Sequence, residues 1–187
     1  MRTITGISLA LLMVLGATQL AADDVVGDRF SFARPPAPES TVDPKNNRLD
    51  VVIERWSTDA DRDQLVKTIA ESGTEKLLDA FRSSPRLGTI NWPGGLQYGV
   101  HYARRQARPD GGSDVVLVVD RPLWMWWDTR IGSTEYPYSV VHIRFEKDGK
   151  GEGRVSLNVP VTGDKTFGVA LADMARAPVA LTDVRRG

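Results

Sequence analysis

The chain contains no cysteine and only two histidines among its 187 residues. The first absence excludes disulfides, thiolate metal ligands, a thiol nucleophile and a lipidated cysteine. The second leaves zinc short of ligands, because both histidines and some carboxylates would have to converge. An excess of one charge is missing as well, with 24 Lys and Arg against 24 Asp and Glu. That balance removes the electrostatic basis for binding nucleic acid or an anionic membrane surface. Signature motifs are absent too. There is no Gly-x-Ser-x-Gly, and neither histidine has a serine and an acid at a recognisable spacing. Asp148-Gly149-Lys150-Gly151-Glu152-Gly153 lacks the spacing of a calcium loop and leads into no phosphate-binding helix, so it reads as a hairpin turn. The residues therefore predict no catalytic set, no resident metal and no cofactor.

What remains is material for one folded domain, with 41% hydrophobic and 26% charged residues. Residues 1–22 stand apart. Arg2 is followed by an apolar stretch over 7–15 and by small residues around Ala17 to Ala22, the pattern of a secretory signal peptide. Thr5, Gly6, Ser8, Thr18 and Gln19 dilute it below the roughly 20 apolar residues of a membrane span. The expected protein is exported, periplasmic or secreted, with no stable membrane span after cleavage. Residues 23–48 carry Pro35, Pro36, Pro38 and Pro44 and read as a flexible proline-rich leader, in which Phe30 and Phe32 have a chance to pack on the domain. Residues 49–187 read as a single domain.

Within that domain, residues 49–56 form a first strand rich in β-branched side chains. Ser57 or Thr58 should cap a helix, with Asp59, Asp61 and Asp63 at its positive end. Leu65, Val66 and Ile69 share one face, and Gly73 is a stop. A second helix carries Leu77, Leu78 and Phe81 before Pro85. Strands then follow over 87–92, 96–104 and 115–119. In the second of these, Leu96, Tyr98, Val100 and Tyr102 alternate with Gln97, Gly99, His101 and Ala103. The third, Val-Val-Leu-Val-Val, does not alternate, so it should be covered on both faces. Strands over 140–146 and 154–161 need a connecting turn of odd length to keep their apolar faces together. A three-residue loop Lys147-Asp148-Gly149, with Gly149 left-handed, sets Phe145 against Gly151 and Ile143 against Gly153. Thr162-Gly163-Asp164 reads as a turn, followed by strands over 166–171 and 179–184.

The pattern predicts an α+β fold, an N-terminal helix pair packed on a mostly antiparallel, strongly bent or barrel-like sheet of about seven or eight strands. Three of the five tryptophans fall in the link after the apolar strand. Trp124, Trp126, Asp120, Arg121 and Tyr136, near Trp127 and Tyr138, are the candidate ligand-binding residues, an aromatic platform for an unknown small molecule or envelope component. Core packing is the competing reading of the aromatics. Asp120, Asp128 and Glu135 offer the alternative of a carboxylate-dependent hydrolase acting on an envelope or extracellular substrate, provided two of them face each other across a cleft. His101 and His142, on polar strand faces, would meet a carboxylate such as Glu146 or Asp120 only if their strands were neighbours.

Several landmarks together carry a resemblance. They are Ile53-Glu54-Arg55-Trp56-Ser57-Thr58, Asp120-Arg121-Pro122, Tyr136-Pro137, the glycine-spaced turn at 148–153 and the ending Pro178-Val179-Ala180-Leu181-Thr182-Asp183-Val184-Arg185. Over about residues 49–186 the chain resembles a group of exported bacterial proteins described only as a domain of unknown function. The resemblance implies an exported bacterial domain and brings no reaction or ligand. The expected function is non-catalytic binding of a ligand or envelope partner on the concave side of the sheet.

Overall fold

A computed structural model describes residues 27–33, 47–73, 76–92, 97–123, 138–157, 160–171 and 178–187. In chain order its elements are β1 (Asp28–Ala33), β2 (Arg48–Ile53), α1 (Asp59–Ser72), α2 (Leu77–Ser83), β3 (Gly88–Asn91), β4 (Gln97–Ala107), β5 (Ser113–Val119), β6 (Ser139–Phe145), β7 (Lys150–Leu157), β8 (Val161–Asp164), β9 (Gly168–Leu171) and β10 (Val179–Arg186). Eight of the strands close into a barrel in the order β1-β10-β7-β6-β5-β4-β3-β2, while β8 and β9 form a separate hairpin. Every neighbouring pair is antiparallel. Closure leaves no free edge on the barrel.

Period-two patterning explains the inside. Phe30, Phe32, Leu49, Val51, Ile53, Ile90, Leu117, Ile143, Phe145 and Val155 all point inward and are almost fully buried. An eight-stranded barrel is just wide enough for such side chains to fill. The concave side expected to hold a ligand is therefore core.

A second apolar cluster lies on the outer face. Leu65 and Ile69 of α1, Leu77, Leu78 and Phe81 of α2, and Val161 and Val169 of the hairpin cover Tyr102, Val116, Val118 and Val140. This explains the unbroken apolar run of β5. Val115, Leu117 and Val119 enter the barrel, whereas Val116 and Val118 lie under the outer layer.

Mixed helix and mostly antiparallel sheet are present as expected, but the helix pair is not N-terminal. Two strands precede it, and α1 packs chiefly on the β8–β9 hairpin. The flexible-leader reading is corrected over 28–33. Phe30 and Phe32 alternate with polar residues, which suits a strand with one buried face, and β1 pairs with both β2 and β10 to close the barrel. Residues 1–26, including the signal-peptide segment, and residues 34–46 lie outside the described part.

Local chemistry sets the other elements. Thr58 is the N-cap: its side chain accepts from the Asp61 amide, and Asp61 answers by accepting from the Thr58 amide. Ser57 does something different, docking on β4, where its amide donates to the Ala103 carbonyl at 2.7 Å and its Oγ accepts from the Ala103 amide at 3.0 Å. The β6–β7 turn has the expected odd length. Gly149 has φ +83°, Phe145 faces Gly151 and Ile143 faces Gly153. Two register expectations fail. The ladder between β4 and β5 slips between Val100 and Tyr102, so Tyr98 and Val100 point inward while Tyr102 joins the outer cluster and Ala103 the inner one. Residues 154–161 are also not one strand, since β7 ends at Leu157 and Thr162 to Asp164 belong to β8.

Candidate functional site

The link between β5 and β6 holds the residues singled out by sequence. Trp124, Trp126 and Tyr136, with Trp127, Asp128 and Glu135, lie outside the described residues, so the aromatic platform and a carboxylate pair have no described geometry. The two feet of the link are defined. Ser139 is fully buried; its Oγ accepts from the Leu123 amide at 2.8 Å and donates to the Arg121 carbonyl at 2.9 Å. Tyr138 is core, packed edge-on against Phe81 with ring centroids 6.4 Å apart. Arg121 is exposed. Asp120 Oδ2 lies 3.6 Å from His101 Nε2, and both side chains are mostly buried. His101 Nδ1 lies 3.1 Å from the Ser84 carbonyl and so must donate to it. His101 thus ties the end of α2 to the foot of the link. A Cβ at Gly99 would come within 2.8 Å of His101 Nε2, so the glycine leaves room for this pair.

The two histidines are not neighbours: His101 is on β4, His142 on β6, and β5 runs between them. Among the described residues no three His, Asp or Glu side chains gather as metal ligands.

A different site emerges on the outer face of β5, β6 and β7. The register sets its side chains in rows across the strands. Asp114, Arg144 and Glu152 form one row; Val116, His142 and Arg154 form the next; Val118, Val140 and Ser156 form the third. Polarity thus falls along the barrel axis over three rows. The β8–β9 hairpin stands over the apolar end. Asp164 Oδ1 accepts from the amides of Thr166 and Phe167 at 2.9 and 2.6 Å, and Gly168 takes φ +81°. This turn delivers the Phe167 ring to 6.0 Å from the His142 ring.

Two adjoining cavities result, of about 590 and 290 Å³, sharing His142, Arg154 and Phe167. The wider one is edged by Asp114, Arg144, Glu152 and Pro178. The narrower one has apolar walls of Val116, Val140, Val169 and Leu171. Together they reach the size of small-molecule sites, about 300–1,000 Å³. A third cleft, between α1, α2 and β4 beside His101, holds only about 130 Å³.

The chemistry at the junction is defined by what arginine cannot do. Arg154 Nη2 lies 3.3 Å from His142 Nδ1, and a guanidinium only donates, so Nδ1 accepts and the ring proton sits on Nε2. Burial first, and the Arg154 charge second, hold His142 below the ordinary imidazole pKa, with Asp114 opposing. His142 is neutral at pH 7. Its buried Nε2–H has no partner among the described residues. The atom itself has less than 1 Å² of accessible surface, whereas Arg154 beside it is exposed.

The register that correctly paired Ile143 with Gly153 also pairs His142 with Arg154. That half of the site was available in the sequence but was not singled out. The approach of Phe167 was not available, because it depends on a hairpin packed on α1. No protein-family model, curated protein or solved structure matches this chain. The fold and site define a closed antiparallel barrel with an external, helix-backed groove. Among the described residues no helix is long and apolar enough to cross a membrane.

Proposed function

We propose that the chain is an exported bacterial domain, as its resemblance implies, and that it acts by non-catalytic binding of an amphipathic ligand in the groove around His142, Arg154 and Phe167. One observation carries this reading. An exposed arginine, with a buried and unpartnered imidazole N–H beneath it, lies at the junction of a polar cavity and an apolar one. Such a site orients a ligand with an acceptor at one point and an apolar body beyond it. The groove supports binding rather than turnover, since His142 spends its basic nitrogen on Arg154.

The test uses 8-anilinonaphthalene-1-sulfonate, an aromatic amphiphile whose fluorescence rises in apolar surroundings. Ala170 is exposed and lines the narrow cavity, so Ala170→Trp fills it without touching the barrel core. The native chain should give saturable enhancement, and Ala170→Trp should abolish it with no loss of thermal stability. Equal enhancement in both proteins would refute the site.

A further inference from the structure

We propose that the ligand of this groove is an aliphatic carboxylic acid, its carboxylate held by Arg154 and its chain lying against Val140, Phe167, Val169 and Leu171. This rests on the groove being the binding site. Arg48, Arg62, Arg104, Arg105 and Arg108 each hold an aspartate. Arg154 has no carboxylate within 4.0 Å among the described residues and holds an imidazole instead. It is an exposed cation with donors to spare, on which a carboxylate head can close a bidentate pair.

The surrounding charge selects among acceptors. The described lining contains two cations, Arg144 and Arg154, and three carboxylates, Asp114, Glu152 and Asp164. His142 adds no charge while neutral. Asp114 is shared with Arg108 at 3.7 Å, and Asp164 accepts from two backbone amides. One negative charge is therefore matched at Arg154, but a dianion would meet repulsion from Glu152 and Asp114. A carboxylate head therefore fits and a phosphomonoester does not. The four apolar wall residues and the ring of Phe167 take a flexible hydrocarbon chain.

The experiment is isothermal titration of the full chain at pH 7.5 with three probes below their critical micelle concentrations: decanoate, decanol and decyl phosphate. Each is repeated on Arg154→Gln and His142→Phe. Decanoate should bind most tightly. Losing a charge-assisted hydrogen bond should cost it about tenfold in Arg154→Gln, with decanol unchanged. In ¹⁵N spectra of the native chain, decanoate should shift the Arg154 guanidinium resonance and decanol should not. Equal binding of decanoate and decanol, with Arg154→Gln altering neither, would overturn the carboxylate and leave the groove standing. Tighter binding of decyl phosphate would overturn the monoanion. Failure of all three, together with failure of the fluorescent probe, would overturn both the acid and the groove.

Discussion

Beginning the chain at residue 47 removes β1, and the consequence can be worked out from the packing. Phe30 and Phe32 are 4% and 0% exposed inside the barrel. Truncating one buried phenylalanine costs about 3–5 kcal/mol, so losing both costs about 6–10 if the two effects add. Phe30 also meets Phe145 edge-on at 5.5 Å. Asp28, at the start of the strand, accepts from Trp56 Nε1 at 2.7 Å and pairs with Arg105 at 2.8 Å. Without β1, the ladders of β2 and β10 both become open edges. A domain is typically stable by only about 5–15 kcal/mol, so the shorter chain should not hold a native barrel. The assay is urea unfolding followed by far-ultraviolet circular dichroism on residues 23–187 and 47–187. Phe30→Ala/Phe32→Ala in the longer chain separates lost packing from lost strand pairing. A chain of residues 47–187 that unfolds cooperatively with a midpoint within about 1 M of the longer chain's would refute the reasoning, since 1 M of urea corresponds to only about 1–3 kcal/mol.

Three further outcomes follow from local geometry. Thr58→Ala should cost about 0.5–2 kcal/mol through the lost cap, and Ser57→Ala about 1–3 because it leaves the Ala103 amide buried without its partner; urea midpoints rank them. Gly149→Ala, at φ +83°, should cost about 1 kcal/mol. Gly151→Ala should cost more despite ordinary backbone angles, about 1–3 kcal/mol, because its Cβ would meet the Arg144 carbonyl oxygen at 2.5 Å. The depressed pKa of His142 means the unfolded chain binds a proton there before the native chain does. Its contribution is therefore fully present above the unfolded value near 6.5 and is lost as pH falls below it. Thermal midpoints of the native chain should fall between pH 7 and pH 5 more steeply than those of His142→Phe, and parallel curves would contradict the assignment.

The parts of the fold legible in the sequence were those fixed by nearest neighbours. Turn parity at Gly149, the stop at Gly73 and the double burial of β5 each follow from a single stretch and its immediate partner. What misled was composition standing in for structure. Proline density around Pro35 to Pro44 drew the leader boundary past Phe30 and Phe32, although their alternation with Arg29, Ser31 and Ala33 already marked a strand. Tryptophan density drew attention to the link at 120–138, whereas its best-described feature is the plain Ser139 hydroxyl that holds both feet.

The irregularity in β4 shows why the site was harder to read than the scaffold. A period-two reading assumes constant register, and one extra residue between Val100 and Tyr102 exchanges the faces beyond it. The slip turns Tyr102 outward, where burial pushes its hydroxyl pKa up to about 12. There Tyr102 occupies the space that a side chain at Gly168 would need; a Cβ at Gly168 would fall 2.4 Å from the Tyr102 hydroxyl. Gly168 ends the turn that aims Phe167 at His142. The position of the groove wall thus depends on a register slip 65 residues earlier in the chain, counting from Val100–Tyr102 to Phe167. Deleting His101 removes the extra residue but leaves Tyr102 on the outer face opposite Val118, because alternation from the inward Val100 then turns the next residue outward. Tyr102→Ala, which removes the side chain packed against Gly168, should therefore weaken probe binding at the groove more than the deletion does. Equal loss in the two variants would show that the Tyr102 side chain does not set the wall.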